Sequence, residues 1–331
     1  KPKANLVASP LLLRFPLCKL TAIATGEARQ ELMTSLGFKD ESMLASCYTR
    51  LKESIKTLAE SDLTLVNRIY VNYTDDIDPT FMTNSTEKFG VQVEKVGFNY
   101  PKAAVTYINR WIGAGTYKRI LDVLDSNDIN KDTMMVIINA VHFKGTWETP
   151  FDFRLTKLMK FHHIDGKISR VPMMTKTDSF AYIATNDHKV SILFIKIFHI
   201  IYSTFTIVLP TTAQGLPEFL EKLQKDPNYI TNAAKKMPPT PMRLYIPRFK
   251  IKTYVDWTGF LQEVGLSFVV DHLGGQQRRP LIPNCNRNPD VPEFIADKPF
   301  YFQITLDFEN ARYEMFTGVY YGPEPGLLSK V

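Results

Sequence analysis

Residues 134–143, Met-Met-Val-Ile-Ile-Asn-Ala-Val-His-Phe, constrain this chain more than any other stretch. An apolar, partly β-branched run of that length with one amide inside it predicts a strand buried on both faces. Such a strand belongs in the centre of a large sheet, which needs further layers to cover it. The chain can supply them: its 331 residues are 44% hydrophobic and 22% charged. That composition is globular and excludes disorder and collagen-like repeats. Length alone would allow two domains, but there is no internal repeat and no low-complexity linker, so a single domain over 1–331 is expected.

Around that run the elements come in mixed order. Leu44, Tyr48, Leu51, Ile55 and Leu58 step by four and three, which predicts an amphipathic helix over 44–58. Residues 63–73 are β-branched and partly alternating, a strand. Residues 101–124 return to helical spacing through Val105, Ile108, Ile112 and Ile120, with Pro101 suited to a first turn and Gly113 and Gly115 weakening the middle. Further strands are expected over 170–174, 179–184, 205–209, 242–247, 300–306 and 313–320, and helices over 216–225 and 256–264. Strands outnumber helices without βαβ alternation, so the class is α+β.

Charge and cysteine usage narrow the function classes. The net charge is +6, from 40 Lys and Arg against 34 Asp and Glu. Spread evenly, that excess favours weak polyanion association, but no concentrated basic motif marks a nucleic-acid module. No apolar run reaches the roughly 20 residues of a membrane helix, so no membrane partner is expected. Lys196, His199, Ser203 and Thr204 interrupt the nearest one, over 190–209. Cys18, Cys47 and Cys285 are too few for a disulfide framework. The opening Lys1-Pro2-Lys3-Ala4-Asn5 is not the start of a signal peptide, so the N-terminus is expected upstream or already processed. Two sequons, at Asn72 and Asn84, favour a secreted, extracellular glycoprotein.

No catalytic constellation emerges. There is no Gly-x-Ser-x-Gly, His-Glu-x-x-His, Walker loop or Cys-x-x-Cys. Gly113-Ala114-Gly115 lacks the third glycine and the preceding strand of a dinucleotide loop. His162 and His163 are adjacent, which on a strand points them to opposite faces and forbids shared ligation of one metal. Cys285 has only His272 near it in sequence as a partnering base. Arg50, Lys52 and Lys56 share one helix with Glu53 and Glu60, a solvated face rather than a polyanion site. The expectation is a non-enzyme with no cofactor and no metal.

The stretch from Asn139 to Asp152 is more specific: Asn139-Ala140-Val141-His142-Phe143-Lys144-Gly145-Thr146-Trp147-Glu148-Thr149-Pro150-Phe151-Asp152. It closely resembles the serpin signature, in which a strand carrying Asn runs into Phe-Lys-Gly-x-Trp and Pro-Phe. Other pieces follow in the family's order: Ala4-Asn5-Leu6-Val7-Ala8-Ser9-Pro10, Asn67-Arg68-Ile69-Tyr70-Val71, Ile108-Asn109-Arg110-Trp111-Ile112, Tyr245-Ile246-Pro247-Arg248-Phe249, Glu293-Phe294-Ile295-Ala296-Asp297-Lys298-Pro299-Phe300 and Phe316-Thr317-Gly318-Val319. The resemblance implies a serpin fold, with three mixed β-sheets surrounded by helices and one large central sheet. It also implies a mechanism. A reactive loop is offered to a serine or cysteine protease, is cut, and inserts as an extra strand that traps the acyl-enzyme. Ser9, Asn139 and Trp147 then fall at positions where the sheet opens and the loop first enters, and the partner is a target protease met by a monomer.

Two departures qualify that implication. Pro16 lies inside what should be helix, where an interior proline costs about 3 kcal/mol. More consequentially, only the 22 residues 272–293 separate Asp271 from Phe294, where the family needs two strands, a hinge and the loop. Fully extended they span roughly 75 Å, one crossing of a molecule this size. Pro280, Pro283, Pro289 and Pro292 exclude a central strand there. Either the loop is truly deleted, so that it could not insert and trap a protease, or the sequence omits segments of the protein here. Counting back from Phe294 puts the scissile bond near Asn286-Arg287-Asn288, where Arg287 would suit a trypsin-like protease; an ordinary surface arginine is the alternative reading. A non-inhibitory serpin with a binding, carrier, storage or chaperone role is the second functional expectation.

Overall fold

Side chains rather than length hold the first strand, β1 (Leu6–Ala8), in place. Asn5 Nδ2 donates to Gly322 O at 2.9 Å, while Asn5 Oδ1 accepts from the Tyr321 N–H at 2.7 Å. One amide thus pins the start of the chain beside its last described strand. The computed structural model describes residues 4–9, 91–143, 146–185, 190–198, 202–249, 293–308 and 311–323, with 17–46 and 63–75 in large part and isolated positions elsewhere.

In chain order the elements are β1, α1 (Gly26–Ser35), β2 (Leu63–Asn72), β3 (Gln92–Val96), α2 (Pro101–Gly115), β4 (Met135–Phe143), β5 (Thr146–Trp147), a 3-10 turn (Phe153–Leu155), β6 (Lys157–His162), β7 (Ile168–Thr185), β8 (Val190–Phe198), β9 (Tyr202–Pro210), α3 (Leu216–Lys225), α4 (Tyr229–Ala234), β10 (Pro239–Pro247), β11 (Glu293–Ile295), β12 (Phe300–Phe308) and β13 (Ala311–Tyr320). They divide between two compact units. One comprises Lys1–Ser9, Gly145–Thr253 and Arg279–Val331; the other comprises Pro10–Lys144 and Tyr254–Arg278.

The first unit holds a ten-stranded mixed sheet in the order β1-β13-β12-β9-β8-β7-β10-β11, with β5 on β8 and β6 on β7. The expected large sheet therefore forms. The described strands join into two ladders rather than three because the 18-residue β7 takes part in successive pairings: residues 168–173 with β6, 173–181 with β10, and 181–185 with β8. The sequence predicts two separate strands at 170–174 and 179–184; they are one. The interrupted apolar run at 190–209 is the antiparallel pair β8–β9. Helix α3 lies where expected, with Glu218 in its first turn and Lys222 and Lys225 in its last, as the helix dipole favours. Its Leu216 and Phe219 pack with Val190, Ile192, Val208 and Tyr301.

Gly318 explains part of the Phe-Thr-Gly-Val motif. A Cβ there would come within 2.4 Å of Leu6 O and 2.5 Å of Phe302 Cζ, so only glycine lets β1, β13 and β12 close up. Beyond it the rings of Phe205, Phe249, Phe300, Phe302 and Tyr320 lie with centroids 5.1 to 6.4 Å apart.

The second unit holds a three-stranded sheet, β3-β2-β4, parallel between β2 and β3 and antiparallel between β2 and β4. Helix α2 packs on one face, its Val105, Ile108 and Ile112 meeting Tyr70, Ile138 and Ala140. The helical pattern expected to 124 stops at Gly115. A Cβ at Gly115 would press on Val66 Cγ1 at 2.5 Å, Thr116 caps the helix, and Tyr117 and Lys118 turn left-handed at φ 49° and 57°. The chain then folds back under Asn109, whose Oδ1 accepts from the Val123 and Leu124 N–H groups and whose Nδ2 donates to Leu124 O. Residues 41–46 are helical, as the first part of the 44–58 pattern predicts; most of the remainder, and the helix expected at 256–264, lie outside the described residues.

Candidate functional site

Strand β4 reads as a central strand, yet among the described residues it ends its sheet. It pairs with β2 over Leu63↔Phe143 to Val71↔Met135 and has no strand on its other side. Successive side chains alternate between faces. Val66, Arg68 and Tyr70 with Ala140, Ile138 and Val136 face α2, so Asn67 and Asn139, paired directly in register, share the opposite face. Both amide oxygens are buried and, among the described residues, find no donor. Asn139, which the resemblance puts where the sheet opens, is thus paired in register with a second asparagine whose amide oxygen is also unbonded among the described residues. Two such acceptors in apolar strands are a polar gap, and each lacks a bond worth about 1–3 kcal/mol in desolvation. A donor group brought against that face would be held there.

The α2 face of the same sheet is built around Arg68. Its guanidinium donates to Glu94 Oε2 and to Gln92 Oε1, and lies 4.5 Å from the Trp111 ring centroid and 6.0 Å from that of Tyr70. Tyr107 donates its hydroxyl to Glu94 Oε1. Tyr107 and Trp111, four apart on α2, thus clamp the helix over β2 and β3. Burial pushes the Tyr70 phenol up to about 12, against the pull of Arg68. The glutamate that accepts the Tyr107 hydroxyl raises that phenol too.

Ser9 and Trp147 belong to the first unit. Ser9 Oγ donates to Met315 O at 2.5 Å, fastening the end of β1 to β13. Trp147, on β5 opposite Ile197, stands edge-on to Phe151 and Phe205 at 5.6 Å each. The Pro-Phe part of the signature is anchored through Lys176. Its Nζ donates to Thr149 O at 2.9 Å and lies 5.2 Å from the rings of both Phe151 and Phe180. Burial depresses the Lys176 ammonium pKa, with Asp178, 3.8 Å away, opposing it.

Asn286, Arg287 and Asn288 lie outside the described residues, as do Asn84 and Cys285. Asn72 closes β2 with only 4% of its surface exposed, so a sugar on it would require that strand end to open. Asn67 was legible only as part of a motif; the signal that singles it out is an amide in each of two apolar strands. Among the described residues no three His, Cys, Asp or Glu side chains are grouped to hold a metal.

The serpin (serine protease inhibitor) family model matches residues 1–273, and the chain belongs to that family. Antichymotrypsin-2 of Bombyx mori is 28% identical over 275 residues, covering 82% of this chain and 72% of that protein. Serpin-Z1B of Triticum aestivum is 25% identical over 352 residues, covering 92% and 87%. Among solved structures, a cleaved serpin 42Da superposes with a TM-score of 0.82 at 24% identity, covering 98% of this chain and 93% of that one. Uncleaved ovalbumin superposes at 0.81 and 22%, covering 96% and 93%. These are likenesses of fold. Serpins act on target proteases as inhibitors rather than as enzymes, and the family also includes non-inhibitory members.

Proposed function

We propose that this serpin inhibits a trypsin-like serine protease as a consumed bait, acting as an extracellular monomer. The observation that carries the reading is the β4 edge, with no strand partner among the described residues and a pair of unsatisfied amide oxygens beside it. A sheet in that condition gains hydrogen bonds by accepting a strand. The names of the Bombyx mori relatives, Antichymotrypsin-2 and Antitrypsin, support the same direction. The protease serine Oγ attacks the Arg287 carbonyl, an ester forms, and the Arg287–Asn288 C–N bond breaks with a proton passing to the departing amine. Insertion of the freed strand beside β4 would then strand the acyl-enzyme. Asn84 is the sugar acceptor of this reading, and the excess of positive charge gives weak polyanion affinity.

The 22-residue span 272–293 and its four prolines favour the second reading, a serpin that binds or carries without trapping. The discriminating experiment incubates the protein with trypsin and with chymotrypsin and separates the products in hot detergent. A covalent band at the summed mass, with cleavage mapped to Arg287, supports the inhibitor. Clean proteolysis at every ratio, with no rise in melting temperature of the cut protein, overturns it in favour of the second reading.

A further inference from the structure

We propose that the hairpin β6–β7, with the turn that precedes it, is a seat for an anionic lipid bilayer. Among the described residues, four of the twelve exposed large hydrophobic side chains fall between 153 and 168: Phe153 at 81%, Leu155 at 44%, Leu158 at 58% and Ile168 at 56% exposure. Register places several neighbours on one face, because Leu158↔Pro172, Lys160↔Arg170 and His162↔Ile168 are directly opposed. That face therefore presents apolar Leu158 and Ile168 with cationic Lys160 and Arg170 between them.

The charges point to the sign of the partner. Residues 152–170 hold five Lys and Arg against two carboxylates. Both carboxylates are already engaged, Asp152 by Arg154 at 2.7 Å and Asp165 by Lys167 at 2.6 Å. Lys157, Lys160 and Arg170 form no ion pair among the described residues, so the surplus positive charge faces solvent. The apolar residues point to the phase. A sulfated polysaccharide would leave Phe153 and Leu158 in water. A protein partner joining by strand addition would have to pair along β6, which among the described residues has β7 as its strand neighbour and whose Lys157 and Lys160 are the charged side chains that discourage edge pairing. A bilayer surface accepts protruding aromatic and aliphatic groups without a complementary pocket and draws cations to its headgroups. The expectation of no membrane partner concerned spanning helices, and an interfacial seat requires none.

The test is co-sedimentation of the full chain with vesicles of phosphatidylcholine alone and with one-third phosphatidylserine, beside a heparin column. The expected result is binding to the anionic vesicles only. The pair Lys160→Glu with Arg170→Glu weakens it by more than about thirtyfold, the loss expected from removing two cations at about fivefold each, with the two added carboxylates repelled besides. The pair Phe153→Ser with Leu158→Ser weakens vesicle binding while leaving heparin retention unchanged. All four positions are exposed, and the melting temperature checks folding; Lys160→Gln with Arg170→Gln serves if the reversal pair melts early. Wild-type protein that ignores anionic vesicles, or binds neutral ones equally, overturns the proposal. So does vesicle binding that survives the apolar pair but falls with the charge pair in step with heparin, which is plain polyanion binding.

Discussion

The two sheets treat their buried polar atoms differently. In the three-stranded sheet, Asn67, Arg68, Tyr70, Asn72 and Asn139 each keep a buried side-chain atom without a hydrogen-bond partner among the described residues, five positions within two strands. The ten-stranded sheet has three such positions, Thr175, Thr206 and Arg243, spread over far more chain. Its interior is instead a run of aromatic rings, with Phe300 and Tyr320 buried to within 1%. One sheet is finished, with its strands locked by dense packing and by glycine at the one close approach. The other keeps unbonded polar atoms on both of its faces. A protein that must accept a strand needs both conditions, a rigid platform and a sheet with bonds still to make.

The comparison breaks most easily at the aromatic core. Phe302 is 3% exposed and meets Phe205, Phe249 and Phe300. Phe302→Ala is expected to lower stability by about 3–5 kcal/mol in urea unfolding. A loss under half of that would mean the larger sheet is loosely packed and the contrast false. Next in size is the clamp of the smaller sheet. Arg68→Met keeps the stem over Trp111 but deletes the bonds to Glu94 and Gln92, and is expected to lower stability by about 2 kcal/mol. The side chain is only 16% exposed, so screening by water removes little of this.

Replacing the orphaned amides sharpens the contrast with the opposite sign. Asn67→Leu combined with Asn139→Leu substitutes apolar groups of similar size for two acceptors that bond nothing. Stability is expected to rise by about 1–2 kcal/mol, because the desolvation penalty disappears with the amides. Under the inhibitor reading the same pair yields less covalent complex with trypsin, since the gap that favours strand entry is filled. A fall in stability would show that these oxygens are engaged, and the argument from the smaller sheet would fail.

Much of this architecture was legible because periodicity reports burial. Residues 63–72, 135–143, 216–225 and 300–308 are where apolar alternation or helical stepping places them. The misses have physical causes. Helix α2 ends at Gly115 because Tyr117 and Lys118 turn left-handed and Asn109 binds the returning chain at Val123 and Leu124, which no local pattern records. Strand β7 continues through 175–178 because pairing with β10 carries the backbone across Lys176 and Asp178, residue types depleted in strands. Of the candidate site, Asn139 announced itself as an amide in an apolar run. Asn67 needed the register before it became its partner, and the burial of Asn72 is invisible in a sequon.

The smallest expected effect lies in the larger sheet's unit, at His163. Its ring packs against Phe161 at 5.3 Å, its Nε2 lies 2.7 Å from Ser169 Oγ, and Gly322 approaches so closely that a Cβ there would be 2.6 Å from the imidazole. Burial, the largest influence, lowers its pKa below the usual value; Asp165 and the backbone of Tyr321 oppose this, and Lys167 adds to it. Between the folded and the ordinary value the unfolded chain therefore binds a proton that the folded chain refuses. Stability is fullest above about pH 6.5 and declines as the pH falls through that value toward the lowered one. His163→Gln keeps a polar group of similar reach without the titration, so the melting temperature of the variant should fall less than that of the wild type between about pH 7 and pH 5.5. Parallel melting curves for the two proteins over that window would mean that the imidazole takes up its proton in place, and the junction of β6 with the end of β13 is then more open to water than its packing indicates.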